Sequence, residues 1–402
     1  MHLSRTRFPE SLVLFSVGSR VWGSPGCKGS CMRFASVGIL VVSLVLAGCG
    51  STSVNPATEP RAPLDSVPIR GVTYHGMWTS RDEADRIRIL DQIAASGVGW
   101  VRMDVAWKDL QPQGRTAFDS EAVAALDSRL KEIANRGLKA LVMFWWAPAW
   151  SSGGPEQSAV PGDPQDYAQA ARWLVERWPS EIAALQVWNE PNLPEFFADP
   201  DPAVYARLLA VTYPAVKDVR PDLTVVTAAP TGLDLSWYRG FIAATDEDGF
   251  DAIGAHPYPV VGDMSTEECA DQARTGCNIA RFVAFLDRHG LTETPVWVTE
   301  FGWSTHADFR GMQRWQRGVD EEEQAKHTAA MLATFSQFPQ IQAAFIYRDR
   351  DFTDANPHMN GFGVVRADGS VKPVFAVLNC SSAADCRARA GGEEEGGRAE
   401  AR

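Results

Sequence analysis

The chain has 402 residues and a formal net charge of −12, so it lacks the basic footprint that nucleic-acid binding requires. Its hydrophobic share of 45 % is ample for a packed core, and the apolar run Phe34–Ala47 is too short to span a bilayer comfortably. The acidic balance suits a soluble, exported protein.

The first element in chain order is an export signal. Arg33 precedes the uncharged run Phe34–Ala47, and small residues follow in Leu46-Ala47-Gly48-Cys49. A basic start, a short apolar segment and small residues before a cut describe a secretory leader. Leu-Ala-Gly-Cys resembles the bacterial lipoprotein processing site, which implies that Cys49 becomes the lipid-bearing first residue. The protein would then be held at the cell membrane by the lipid alone, facing outward or into the periplasm. A plain signal cut near Gly48, or an internal buried helix, stays open. Met32 lies directly before Arg33, so residues 1–31 read as an over-extended gene start. Removing residues 1–48, with five basic residues and one acidic, takes the net charge to −16. Residues 49–67, rich in Ser, Thr, Pro and Ala, read as anchor and flexible tether. Residues 387–402 read as a disordered tail.

Residues 68–386 suit one large domain better than two. Eight strand-like runs recur through it: Ile69–Tyr74, Trp100–Val105, Lys139–Trp145, Leu185–Asn189, Leu223–Ala228, Asp251–His256, Val296–Glu300 and Ala343–Tyr347. Amphipathic runs alternate with them at Glu83–Ala95, Glu121–Asn135, Asp166–Trp178, Pro202–Val219, Ile279–His289 and Glu321–Phe335. Alternating strand and helix predicts an α/β fold, a single (β/α)8 TIM barrel. An open doubly wound sheet would normally show a Gly-rich phosphate loop after its first strand. Here that strand ends Thr73-Tyr74-His75-Gly76. Four cysteines remain after Cys49, in the close pairs Cys269/Cys277 and Cys380/Cys386. Export permits disulfides there, and two loop staples fit better than a metal site. Free thiols stay open.

Two glutamates end apolar strand-like runs. Glu190 sits in Leu185-Gln186-Val187-Trp188-Asn189-Glu190-Pro191-Asn192, and Glu300 in Pro295-Val296-Trp297-Val298-Thr299-Glu300-Phe301-Gly302-Trp303. Carboxylates at strand ends of a barrel point into its mouth, where catalysis occurs. Two facing one cleft supply the acid and the nucleophile of glycoside cleavage, about 5–5.5 Å apart in retaining enzymes and well beyond that in inverting ones.

The chain therefore resembles the clan A glycoside hydrolases. Trp188-Asn189-Glu190-Pro191-Asn192-Leu193-Pro194-Glu195-Phe196-Phe197 and Thr299-Glu300-Phe301-Gly302-Trp303-Ser304-Thr305 are most similar to family 39 and to related bacterial exopolysaccharide endoglycosidases. The resemblance implies that Glu190 is the acid/base and Glu300 the nucleophile of a retaining enzyme acting on a polysaccharide or oligosaccharide. It implies that Arg102 braces the nucleophile and that Asn189 binds the sugar 2-hydroxyl. His256 and Tyr258, in His256-Pro257-Tyr258, fall where the clan places a His-x-Tyr, with the tyrosine touching the nucleophile. Local pairing of Arg102 with Asp104 or Asp109, and a capping role for Asn189, stay open.

Fourteen tryptophans offer faces for stacking on sugar rings. Trp303 and one of Trp145 or Trp146 are expected as platforms, while Trp100, Trp173 and Trp297 are expected in the core. Two departures speak against a simple cellulase. No histidine follows strand three, and Tyr347 stands where many clan members place Trp. A carbohydrate-binding barrel without catalysis and a cell-surface transglycosylase are the alternatives. No cofactor and no metal are expected, because the strand ends lack clustered His and Asp ligands. A monomer with no nucleic-acid partner is expected.

Overall fold

The computed structural model describes residues 68–78, 82–156, 158–245, 249–258, 275–312, 314–353 and 356–391. The leader, Cys49, the tether and Cys269 lie outside these residues, so those expectations are not addressed by it.

Eight strands run β1 Ile69–Thr73, β2 Trp100–Ala106, β3 Lys139–Trp145, β4 Ile182–Val187, β5 Thr224–Val226, β6 Ile253–Ala255, β7 Val296–Phe301 and β8 Ile341–Ile346. They form one sheet in the order β5-β4-β3-β2-β1-β8-β7-β6, every ladder parallel. The ends meet. A parallel bridge joins Val226 to Ala252, and the Thr227 N–H donates to the Ala252 carbonyl at 3.0 Å. The sheet is thus a closed (β/α)8 barrel.

A helix follows each of the first seven strands: α1 Glu83–Ala95, α2 Ser120–Asn135, α3 Pro164–Arg177, α4 Pro202–Lys217, α5 Leu235–Ala244, α6 Thr275–Arg288 and α7 Glu321–Phe335. The sequence writes their starts plainly. Asp82, Asp119, Asp163, Asp201, Asp234 and Asp320 each accept first-turn N–H groups as N-caps, and Asp320 completes a capping box with Glu323. Helix α5 has no counterpart among the predicted runs. Its Gly240 lacks the side chain that would collide with Pro202 at the start of α4, 2.6 Å from where a Cβ would stand. After β8, helix α8, Ala383–Arg389, extends past the expected domain end at residue 386. Cys380 and Cys386 form a disulfide there.

The barrel interior is layered. Its floor is a ring of Leu141, Ala184, Val226, Ala252, Trp297, Ala343 and Phe345, with Trp100 against it, while Trp173, on α3, stacks on Phe118 just before α2. Alternation along a strand returns a side chain to the same face after two residues. Two residues beyond Trp100, Ala184 and Trp297 come Arg102, Gln186 and Thr299. These polar side chains, all 0–1 % exposed, form the layer beneath the mouth.

Candidate active site

Residues 188–190 do not continue β4, contrary to the strand expected to reach Asn189. The chain leaves the sheet at Trp188 with φ 72°, and Glu190 has φ 40°. Pro191 already disfavours the right-handed helical region for the residue before it. Left-handed backbone at two non-glycine residues is costly and tends to occur at functional sites. The turn is held by its neighbours. The Trp188 indole N–H donates to the Phe196 carbonyl at 2.9 Å. The Asn192 side chain exchanges two hydrogen bonds with the Thr231 backbone.

On the other side, the β7–β8 register shifts between Val298 and Phe301. This irregularity lets adjacent residues Thr299 and Glu300 both serve the interior. Gly302 permits the close approach that follows, since a Cβ there would stand 2.5 Å from the Tyr347 carbonyl oxygen.

The structure brings Glu190, Glu300 and His256 together, with one ligand atom of each within 4.8 Å of the others. Arg102 is the hub beneath them. Its Nη1 donates to Glu300 Oε1 at 2.5 Å, its Nη2 to Asn189 Oδ1 at 2.8 Å and its Nε to Gln186 Oε1 at 2.8 Å. Pairing with Asp104 or Asp109 is therefore not its role, and Asn189 does not cap a helix. With Oδ1 turned to Arg102, the Asn189 amide N–H₂ is the end left for a sugar hydroxyl. Tyr258 donates to Glu300 Oε2 at 3.1 Å. His256 Nδ1 meets Glu190 Oε1 at 2.9 Å, and its Nε2 meets Thr299 Oγ1 at 3.0 Å.

Burial by itself would raise the Glu300 carboxyl. The positive charge His256 carries when protonated, the Arg102 guanidinium and the Tyr258 hydroxyl outweigh it and hold the carboxyl below its ordinary range. An ionised carboxylate with two fixed donors is what a nucleophile needs. Burial, with the Glu300 charge next, pushes the Tyr258 hydroxyl far up. Tyr258 therefore stays a donor.

Glu190, His256 and Glu300 also correct the view that the strand ends lack clustered ligands. Both His256 nitrogens are engaged, however, and a cation would face the fixed charge of Arg102.

Trp145 and Trp146 stack on each other with centroids 4.3 Å apart, and Lys108 covers the Trp146 ring. Trp303 lies against Phe301 and His327. All three indoles are almost wholly buried, so each spends at least one face on protein.

Five side chains at or under the mouth escaped the sequence reading. Gln186 is the one polar residue of β4, and Thr299 sits beside Glu300 in an otherwise apolar β7. His75, Trp78 and Asp104 form a cluster at the ends of β1 and β2. His75 Nδ1 is 3.0 Å from Asp104 Oδ1, and the Trp78 indole donates to Oδ2 at 2.8 Å. Burial would raise Asp104, but His75 outweighs it and keeps the carboxyl low. Tyr347 links this cluster to Tyr258 by edge contacts. Burial pushes its hydroxyl up to about 12.

Comparison with known proteins points the same way. The sequence model of "Glycosyl hydrolases family 39" matches residues 169–388, more than half of the chain. A β-xylosidase of Geobacillus stearothermophilus is 37 % identical over 76 residues, 18 % of this chain and 15 % of that protein. Among solved structures, a family 39 glycoside hydrolase from Bacteroides cellulosilyticus superposes with a TM-score of 0.58 at 21 % identity, covering 81 % of this chain and 65 % of that one. The family 39 enzyme of Xanthomonas axonopodis pv. citri gives 0.59 at 18 %, covering 78 % and 66 %. A monomeric β-xylosidase from Caulobacter crescentus gives 0.59 at 20 %, covering 78 % and 67 %. The chain spans under two-thirds of the length of the first two of these structures. At these identities the structural likeness concerns the fold.

Proposed function

The chain belongs to glycosyl hydrolase family 39, and from that premise we propose that it is a retaining glycosidase that cleaves O-glycosidic bonds, of β configuration, in a polysaccharide or oligosaccharide. Glu300 attacks the anomeric carbon while Glu190 gives its proton to the departing oxygen. Glu190 then takes a proton from water as the glycosyl-Glu300 ester is hydrolysed. The observation that carries this reading is the approach of one oxygen of Glu190 to one of Glu300 within 4.8 Å. Inverting enzymes hold the pair about 6.5–9.5 Å apart to admit a water between them. Asn189 binds the 2-hydroxyl, and Trp145 or Trp146, with Trp303, carries sugar rings.

The named relatives include β-xylosidases, so aryl β-xylosides head the substrate panel, followed by other aryl β-glycosides and oligosaccharides. The test is proton NMR of the first-formed product. Release of the β-anomer before mutarotation supports the proposal. Release of the α-anomer from a β-substrate overturns it.

Export and lipidation at Cys49 complete the proposal. The Cys380–Cys386 disulfide is in keeping with an oxidising compartment. Cys49→Ser should release the protein from membranes. A variant that still partitions with membranes and is still cut before residue 49 would overturn lipidation.

A further inference from the structure

Beneath the two carboxylates runs a hydrogen-bonded path, Arg102–Gln186–Thr299–His256–Glu190, and its directions can be fixed one at a time. The Arg102 Nε–H can only donate, so the atom it meets at 2.8 Å is the Gln186 amide oxygen. The Gln186 nitrogen then faces the Thr227 carbonyl at 3.2 Å, which can only accept. Both ends of the amide agree, and the orientation is set. Its other N–H donates to Thr299 Oγ1 at 2.9 Å. Thr299 thus accepts from Gln186. A hydroxyl could accept twice, but among the described residues the only acceptor that meets Oγ1 is His256 Nε2 at 3.0 Å, which leaves the Thr299 proton for that nitrogen. Glu300 Oε1, at 3.8 Å from Nε2, is beyond hydrogen-bond reach. In the neutral imidazole Nε2 is therefore the acceptor and Nδ1 carries the ring proton, so that Nδ1–H donates to Glu190 Oε1 at 2.9 Å. Gln186, Thr299 and His256 are each 0 % exposed, so water does not compete.

We propose that Gln186 and Thr299 are positioning residues that fix His256 as the Nδ1–H tautomer, so that Glu190 Oε1 is always an acceptor and the catalytic proton is confined to Oε2. This deepens, and rests on, the assignment of Glu190 as acid/base. In the first step the Oε2–H bond breaks, the proton moves to the glycosidic oxygen, and that oxygen takes the electron pair of the bond it leaves. In the second step Oε2 takes a proton from the attacking water. Oε1 keeps the same donor throughout. With the other tautomer, the Nδ1 lone pair would compete for the proton and turn it from the leaving group.

The test begins without substrate, so it is independent of the glycosidase reading. The full chain, labelled with 15N-histidine, is examined by two-bond 1H–15N correlation at neutral pH. Its seven histidines are sorted by loss of one pattern in His256→Gln. His256 is expected with a protonated-type Nδ1 and an unprotonated-type Nε2. An Nε2–H pattern in the parent protein overturns the proposal. Thr299→Val should convert the His256 pattern to Nε2–H or to an average, while Thr299→Ser keeps the parent pattern. An unchanged pattern in a folded Thr299→Val also overturns it. If that variant fails to fold, the parent spectrum still decides the tautomer. In turnover, Thr299→Val should lose about tenfold or more in kcat on a substrate with an alkyl leaving group, within the usual worth of general acid catalysis. It should lose much less on one with a dinitrophenyl leaving group, and Thr299→Ser should lose little on either. Equal losses on both substrates would mean that Thr299 does not act through the proton of Glu190.

Discussion

Arg102 on β2 reaches across the barrel interior to Glu300 on β7 at 2.5 Å, in a contact where the arginine is 1 % exposed and the glutamate 8 %. The same guanidinium holds Asn189 and Gln186. One side chain thus fixes Glu300, the amide beside Glu190 and the start of the path to Glu190 itself. A planar fork can do this, whereas a single ammonium cannot.

Removing that fork should leave a buried carboxylate without its main partner. Arg102→Met should lose about 3–5 kcal/mol of stability, the usual cost of breaking a buried pair. The Glu300 carboxyl should also rise, and with it the acid limb of the kcat/KM profile. Urea unfolding and a pH–rate series measure the two effects. An acid limb that stays in place would show that Arg102 does not hold Glu300 ionised.

Tyr258→Phe removes one neutral donor to the Glu300 carboxylate, the contact of 3.1 Å. Hydrogen bonds to charged groups contribute about 1.5–3 kcal/mol, so kcat should fall by roughly tenfold to a hundredfold. KM should change little. Unchanged kcat with a raised KM would move Tyr258 from the nucleophile to substrate binding.

Far from the strand ends in sequence, His358 gives a stability signature. Burial first, then the neighbouring His306, lowers its imidazole to about 4, against a weaker opposing pull from the Gln316 carbonyl. The folded state therefore favours neutral His358. Its contribution is complete above the unfolded value of 6.5 and is lost as pH falls from there through about 4. The loss is on the order of 3 kcal/mol. Denaturant unfolding from pH 7 to 4 should be flatter for His358→Gln than for the parent. Glu300 acts in the same direction at lower pH. Its depressed carboxyl stabilises the fold above the ordinary value of 4.5, and that share is lost as pH falls through the folded value.

The sequence carried the barrel well because its grammar is local. Lys139–Trp145 and Glu321–Phe335 are found at their predicted bounds, one a continuous apolar run and the other a capped amphipathic helix. Strands β5 and β6 have three residues each, shorter than the runs Leu223–Ala228 and Asp251–His256 that contain them. Barrel closure rather than local preference sets those ends. Helix α5 was hidden by Gly240, a poor helix residue that is needed for close approach to Pro202. At the site, Glu190 and Glu300 were legible because each ends an apolar run. Gln186 and Thr299 were not, because a polar residue inside a strand acquires meaning only when the barrel turns it toward partners from other strands. The cluster of His75, Trp78 and Asp104 likewise exists only once β1 and β2 lie side by side.

The division of labour between the two glutamates is the central claim, and azide separates them. In Glu190→Gln, a dinitrophenyl β-glycoside should still glycosylate Glu300, since a good leaving group needs little protonation. Water then lacks its base, and the intermediate should accumulate. Azide needs no base. It should restore turnover and yield the β-glycosyl azide by a second inversion, while Glu300→Gln shows no turnover without added nucleophile. An α-glycosyl azide from Glu190→Gln, or a β-glycosyl azide from Glu300→Gln, would contradict the assignment.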